Sequence, residues 1–226
     1  MKWQIKQFNQ LVSTNDTAKT SPVGTVIIAK AQTGGKGRYG RSWESPLGNL
    51  YLSAVVPDFG KASSLLAFVA GLAVATALSD FHVRLKWPND ILLNGGKVAG
   101  ILLERRDDGC VIIGIGVNVI SCPTSPMLYK TACLNGVLSV STVQEKVLTA
   151  LSHYLSVFET QGFEPVRRDW LSLAVGLNQS IKVDLPRKTL IGTFKELSPQ
   201  GELILETPDK IVHKITAGDV FLMQEK

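Results

Sequence analysis

The chain has 226 residues, 45% hydrophobic and 19% charged, which suits one large domain, or one with a small appendage, around a substantial core. Its formal net charge is +5, and the cationic excess lies before residue 176, because residues 176–226 carry seven Lys and Arg against seven Asp and Glu. Such an excess fits a phosphate-bearing ligand or an acidic partner, and no long Lys/Arg stripe argues for nucleic acid.

Three cysteines without a C-x-x-C give neither a disulfide framework nor a zinc site. The start, MKWQIKQFNQ, has no apolar signal core. The longest near-apolar stretch, Leu65 to Leu78, is fourteen residues, too short to span a bilayer. The expectation is a cytoplasmic protein with neither membrane nor nucleic acid among its partners.

In chain order, residues 3–8 alternate and read as a strand. STND at Ser13 to Asp16 reads as a turn or helix start, since these residues cap helices. GTVIIAKAQ, residues 24–32, is β-branched and reads as a buried strand. A Gly-rich segment follows, then the strand NLYLSAVV. Residues 63–79 form an apolar helix, and HVRLKW is a strand. NDILLNGGKVAGILLE reads as two strands joined at Asn94-Gly95-Gly96, a hairpin signal. A turn at 107–109 leads into the strand CVIIGIGVNVI, and residues 120–135 are irregular. Helices cover 141–158 and 164–172. After Gly176 only short strands appear, separated by turn residues, so a boundary falls near residue 175 and a small barrel follows. Before it, hairpin-linked strands with grouped helices suggest an α+β sheet with helices on one face.

QTGGKGRYGRSW, residues 32–43, contains G-x-G-x-x-G at Gly35, Gly37 and Gly40. A dinucleotide fingerprint needs a helix next, but Pro46, Gly48 and another strand follow. No kinase motif accompanies the loop, and Lys36 precedes Gly37 rather than Ser or Thr, which excludes a Walker loop. What remains is a strand-to-strand loop with bare N–H groups and three cations, Lys36, Arg38 and Arg41. It is either a solvated surface loop or a wrap for an anion, and Trp43 is placed to close over a ligand. KWPND exits a strand with two polar groups held by Pro88. KVAGILLE starts a strand with Lys97, and alternation puts Lys97, Ala99, Ile101 and Leu103 on one face; Gly100 leaves space for a ligand. GIGVN puts glycines inside a strand, permitting close approach. His82, His153 and His213 share no metal spacing.

These stretches, in this order and at these spacings, resemble the biotin protein ligases, the biotin–[acetyl-CoA-carboxylase] ligase family, over essentially the whole chain. G-[RK]-G-R-x-G-R-x-W together with K-W-P-N-D is the specific combination. The resemblance implies a class II synthetase-like biotin/lipoate ligase fold over 1–175, α+β with a mixed, largely antiparallel sheet, and a small SH3-like β-barrel over 176–226. It implies that biotin and ATP, carried with Mg²⁺, give biotinyl-5′-AMP. Biotin then passes to a lysine of the biotin carboxyl carrier protein of acetyl-CoA carboxylase.

The implied biotin contacts are Ser13, Thr14, Asn15, Gln32, Lys36, Gly37, Arg38, Lys97 and Gly100. The implied ATP or adenylate contacts are Arg38, Arg41, Trp43, Asn89, Asp90, Lys97 and Asn118. Lys97, between carboxylate and α-phosphate, and Arg38, which retains the adenylate, are the implied catalytic residues; no protein metal ligand is implied. The chain departs from the family in three places. Lys36 stands where an arginine is usual, segment 120–135 has no tryptophan and offers Tyr129 as its adenine-side aromatic, and DVFLMQEK lacks a terminal arginine. Because the sequence starts directly at the ligase domain, the expectation is a ligase without repressor function. The alternative, a lipoate–protein ligase or octanoyl transferase, lacks the loop and K-W-P-N-D motifs. Monomer and homodimer both stay open.

Overall fold

The computed structural model describes residues 1–123 and 130–223; Tyr129 lies outside the described residues. Seven strands form a sheet in the order β1-β2-β3-β7-β6-β5-β4. They are β1 (Gln4–Leu11), β2 (Thr25–Gln32), β3 (Leu50–Val56), β4 (Arg84–Lys86), β5 (Asp90–Leu93), β6 (Gly96–Arg105) and β7 (Val111–Val117). Only the β1–β2 pair is parallel, so the sheet is mixed and largely antiparallel. The centre is apolar on both faces, as in Val111–Ile113 and Leu50–Val56, because both faces are covered. Polar β1 is left at an exposed edge.

The helices divide between the two faces. The helices α2 (Leu66–Ala77), α3 (Val140–Gln161) and α4 (Phe163–Ser172) pack on one face. The α2 sequence LAFVAGLAVATA is apolar all round, which suits a helix enclosed on every side, here by the sheet and by α3 and α4. With the preceding 3-10 turn the helical run is 18 residues, Gly60–Ala77, long and apolar enough for a bilayer span, yet 67% of it is buried in the protein. The short α1 (Thr14–Ala18) lies on the opposite face, where Ala18 packs on Ile27, Val55 and Ile112.

The hairpin at Asn94-Gly95 has φ of 50° and 75°, the two left-handed residues of a type I′ turn. One sequence expectation fails nearby. Ile91 pairs with Ala99 but Leu92 pairs with Lys97, so the register slips by one residue. This bulge inserts Val98, which is fully buried in the core. It turns Lys97 away from the core-facing set Ala99 and Ile101 onto the face of Gly100. Simple alternation had placed Lys97 with the core set.

The C-terminal strands are β8 (Ser180–Leu185), β9 (Lys188–Leu197), β10 (Leu203–Glu206), β11 (Val212–Ile215) and β12 (Asp219–Leu222). They form an antiparallel sheet in the order β11-β10-β9-β8-β12. The expected barrel is not closed. Edge strands β11 and β12 are four residues each, and the link between them carries β12 across to β8, so the edges stay unjoined. The main sheet's flank seats this unit. Trp87 Nε1 donates to Gly201 O at 3.1 Å, and Arg167 Nε donates to Leu197 O at 2.6 Å.

Candidate active site

On the α1 face a cleft of about 340 Å³ opens over β3, β6 and β7. Its floor is made of glycines, for a steric reason. A Cβ on Gly116 would sit 2.7 Å from the Trp43 indole, and one on Gly114 would sit 2.5 Å from Asn15 Oδ1. Side chains from the loop and from α1 therefore occupy the space that larger residues in β7 would fill.

One end of the cleft is polar yet buried. Ser13, Thr14, Asn15 and Ser53 are all under 5% exposed. Ser13 caps α1 by accepting from Asp16 N. The Thr14 N–H and hydroxyl donate to Gln32 Oε1 at 2.8 and 3.1 Å, and Gln32 Nε2 donates to Ser45 Oγ at 2.9 Å. Ser53 Oγ donates to Asn15 Oδ1 at 2.6 Å, and Asn15 Nδ2 donates to Glu104. Burying so many polar groups is tolerable because each finds a partner. The result is a fixed set of donors and acceptors at the closed end.

The other end is cationic. Residues 36–42 form a small hairpin: Gly37 N donates to Arg41 O at 2.7 Å, and Trp43 N donates to Gly35 O at 2.9 Å. Its three cations meet partners from three different parts of the chain: α1, the turn between β4 and β5, and β12. Lys36 pairs with Asp16 of α1 at 2.7 Å, and Arg38 Nη1 donates to Asn89 Oδ1 at 3.2 Å. Arg41 grips Asp219 of β12 with two bonds, 3.2 and 2.6 Å. The neighbouring Lys19 and then Lys36 hold the Asp16 carboxyl below its ordinary value.

Lys97 enters from β6, and its Nζ is 2.6 Å from Asp90 Oδ1 and 5.3 Å from the Trp43 ring centre. Lys86 approaches the same carboxylate at 3.8 Å. Burial, the dominant cause, pulls the Lys86 ammonium below its ordinary value. The cleft thus pairs a polar, enclosed pocket with a mouth of cations steadied by carboxylates. Such a site can bind the polar head of a small organic molecule and hold an anion at the molecule's far end. Among the described residues no three His, Cys, Asp or Glu gather to hold a metal.

Of the residues singled out from sequence, Ser13, Thr14, Asn15, Gln32, Lys36 and Gly37 line the cleft, as do Arg38, Arg41, Trp43, Asn89, Asp90, Lys97 and Gly100. Asn118 does not reach the cleft wall. It is 1% exposed, and its Nδ2 donates to Ala132 O at 3.0 Å. Its Oδ1 is buried without a partner in the structure. Sequence reading missed Ser53, Glu104, Lys86 and Asp219. Ser53 had a local signal, a single hydroxyl in the otherwise apolar strand LYLSAVV. Asp219 had none, because it comes from a strand 178 positions beyond its partner Arg41.

Comparison with known proteins agrees with this geometry. A family model for the biotin/lipoate A/B protein ligase family matches residues 3–118. One for the biotin protein ligase C-terminal domain matches 176–223. A biotin–[acetyl-CoA-carboxylase] ligase of Paracoccus denitrificans is 35% identical, over 80% of this chain and 84% of its own. A bifunctional ligase/repressor of Bacillus subtilis is 33% identical, over 94% and 72%. A biotin protein ligase from Aquifex aeolicus, solved in complex with biotin and ATP, superposes with a TM-score of 0.82. It is 27% identical, with 98% of this chain and 99% of that chain covered.

Proposed function

The chain belongs to the biotin protein ligases of the biotin/lipoate A/B protein ligase family, and from that premise we propose how its cleft works as an ATP-dependent biotin ligase. The observation that carries the reading is the joining of two opposite ends in one cleft. The buried polar set of Thr14, Asn15 and Gln32 lies at one end, and Lys36, Arg38, Arg41 and Lys97 lie at the other.

Biotin has a ureido head with two N–H donors and one carbonyl acceptor, a thin apolar chain and a terminal carboxylate. The head seats among Ser13, Thr14, Asn15 and Gln32. The glycine floor, with Gly100 in β6, lets Trp43, Asn15 and Lys97 lie close against the sheet, and the ring and chain run beside them. The carboxylate then lies toward Lys97, with Lys36, Gly37 and Arg38 around it. ATP enters as its Mg²⁺ complex. Asp90 and Asp219 are engaged by Lys97 and Arg41, and the Mg²⁺ carried by ATP would offset phosphate charge beside them.

In the first step a biotin carboxylate oxygen attacks the α-phosphorus. The bond from that phosphorus to the β-phosphate bridging oxygen breaks, and pyrophosphate leaves. Two anions must approach, and Lys97 and Arg38 offset their repulsion and the charge of the transition state. Positioning does the rest, without a protein nucleophile. Trp43, Asn89, Asp90 and Arg41 hold the nucleotide side. Asn118, behind Lys97, keeps the segment at Ala132 against that strand. In the second step the amine of an acceptor lysine attacks the acyl carbonyl, and AMP departs. We place that lysine on the biotin carboxyl carrier protein of acetyl-CoA carboxylase, in keeping with the activity named for the relatives. We divide the chain into a ligase unit, 1–175, and a C-terminal unit, 176–226, supported by the separate hydrogen-bonded sheets. Three free thiols support a cytoplasmic location.

The test is pyrophosphate release from ATP by the purified chain with biotin, with lipoate and with neither. Release with biotin alone is expected. Release with lipoate alone moves the chain to the lipoate branch, and release with neither refutes the adenylation step.

A further inference from the structure

Cys122 and Cys133 are eleven positions apart, yet their sulfurs lie 2.9 Å from each other, within about 1 Å of the ~2.05 Å of a disulfide. Both sit on backbone that the fold holds in place. Just before Cys122, the N–H groups of Val119, Ile120 and Ser121 all donate to Asn49 Oδ1, at 2.9, 3.0 and 3.2 Å. On either side of Cys133, Ala132 N donates to Lys97 O at 2.9 Å and Leu134 N donates to Asn118 O at 3.1 Å. A bond between the sulfurs therefore asks for side-chain rotation and little backbone travel. Burial and the adjacent Cys133 push the Cys122 thiol up to about 11, so at neutral pH it is protonated and a slow nucleophile; its part in the pair rests on its 2.9 Å approach to Cys133.

We propose that Cys122 and Cys133 form an oxidant-responsive dithiol site whose disulfide slows the enzyme. The co-reactant is a hydroperoxide, with hydrogen peroxide the simplest. Its O–O bond breaks as Cys133 sulfur gives up two electrons. One oxygen stays on that sulfur as a sulfenic acid, and the other leaves as water. The Cys122 sulfur then attacks the Cys133 sulfur. The S–S bond forms, the S–O bond breaks, and the hydroxyl leaves with the Cys122 proton as a second water. A small dithiol reverses the bond by exchange.

The effect on activity follows from what Cys133 is joined to. Lys97 N donates to Lys130 O at 2.7 Å, and Lys97 bridges Thr131 in parallel. Asn118 Nδ2 donates to Ala132 O at 3.0 Å. The disulfide ties this segment to the turn fixed by Asn49, and so restrains the backbone that lies against the reaction centre. This half rests on the ligase reading; formation of the disulfide does not.

The experiment treats the reduced full chain with hydrogen peroxide and alkylates the remaining thiols. Intact mass and biotin-dependent pyrophosphate release are then measured, before and after dithiothreitol. The expected product has lost two hydrogens and takes alkyl label at Cys110 only. Its turnover falls by between about tenfold and the roughly hundredfold that a 1 Å misplacement at a reacting centre can cost, and returns with dithiothreitol. Cys122→Ser and Cys133→Ser each keep their turnover through the treatment, and Cys110→Ser behaves as the parent. Full labelling of Cys122 and Cys133 after peroxide overturns the proposal. So does a disulfide with unchanged turnover, or equal sensitivity in Cys133→Ser. A reduced chain that releases no pyrophosphate with biotin overturns the turnover half along with the ligase reading, while the mass still decides whether the disulfide forms.

Discussion

Replacing Lys97 by methionine keeps most of the unbranched stem and removes the ammonium, its charge and its donors. Its Nζ is 2.6 Å from Asp90 and its side chain is 16% exposed, so little solvent screens it. A unit charge about 4 Å from an anion in such surroundings, at an effective dielectric of ~20, is worth about 4 kcal/mol. At about 1.4 kcal/mol per decade, that is roughly a thousandfold in rate. Removing one oxyanion donor from an enzyme costs a similar 10²–10³ in kcat. Lys97→Met is therefore expected to lower kcat for biotin-dependent pyrophosphate release by about three decades. The Michaelis constant for biotin should move far less, because the polar head is bound at the other end of the cleft. A denaturant melt on the same preparation separates lost chemistry from lost fold, since Asp90 still has Lys86 at 3.8 Å. If kcat stays within about threefold of the parent, less than 1 kcal/mol of transition-state stabilisation, Lys97 does not face the reacting anions and the mechanism is wrong at its centre.

Gly116→Ala puts a Cβ 2.7 Å from the Trp43 indole; with overpacking worth about 1–3 kcal/mol, biotin affinity by calorimetry should fall about tenfold or more. Unchanged affinity there would mean the glycine floor does not shape the site. Asn49→Ala orphans three backbone N–H groups and should cost about 2–4 kcal/mol in a urea melt; a loss under about 0.5 kcal/mol would show that water replaces the side chain. Lys86 titrates below its ordinary 10.5 because of burial, so between its folded value and 10.5 the unfolded chain binds more protons. Stability should rise as pH climbs through that window. Lys86→Met should flatten the rise in urea melts taken across it, and an unaltered slope would trace the rise to another group.

Much of the chemistry was legible because it is local. The loop's glycines and cations, the polar run Ser13 to Asn15 and the hairpin at Asn94-Gly95 are set within a few residues of chain, where turn geometry and capping act. Those features were enough to suggest an anion-holding cleft and, through their order and spacing, a family. The buried strands were legible for the same reason, since β-branched runs carry their own signal.

The tertiary structure decided what depends on pairing between distant segments. A one-residue slip against β5 turns Lys97 from the core face to the cleft, and nothing in KVAGILLE announces it, because a bulge is a property of two strands and not of one. The reach of Asp219 into the loop arises only when long-separated segments meet, while the carboxylate shared by Lys86 and Lys97 and the approach of Cys122 to Cys133 depend on how nearby stretches turn back on each other. The C-terminal strands could be recognised one by one, but whether their edges meet is fixed by how the chain crosses between them, and here they do not.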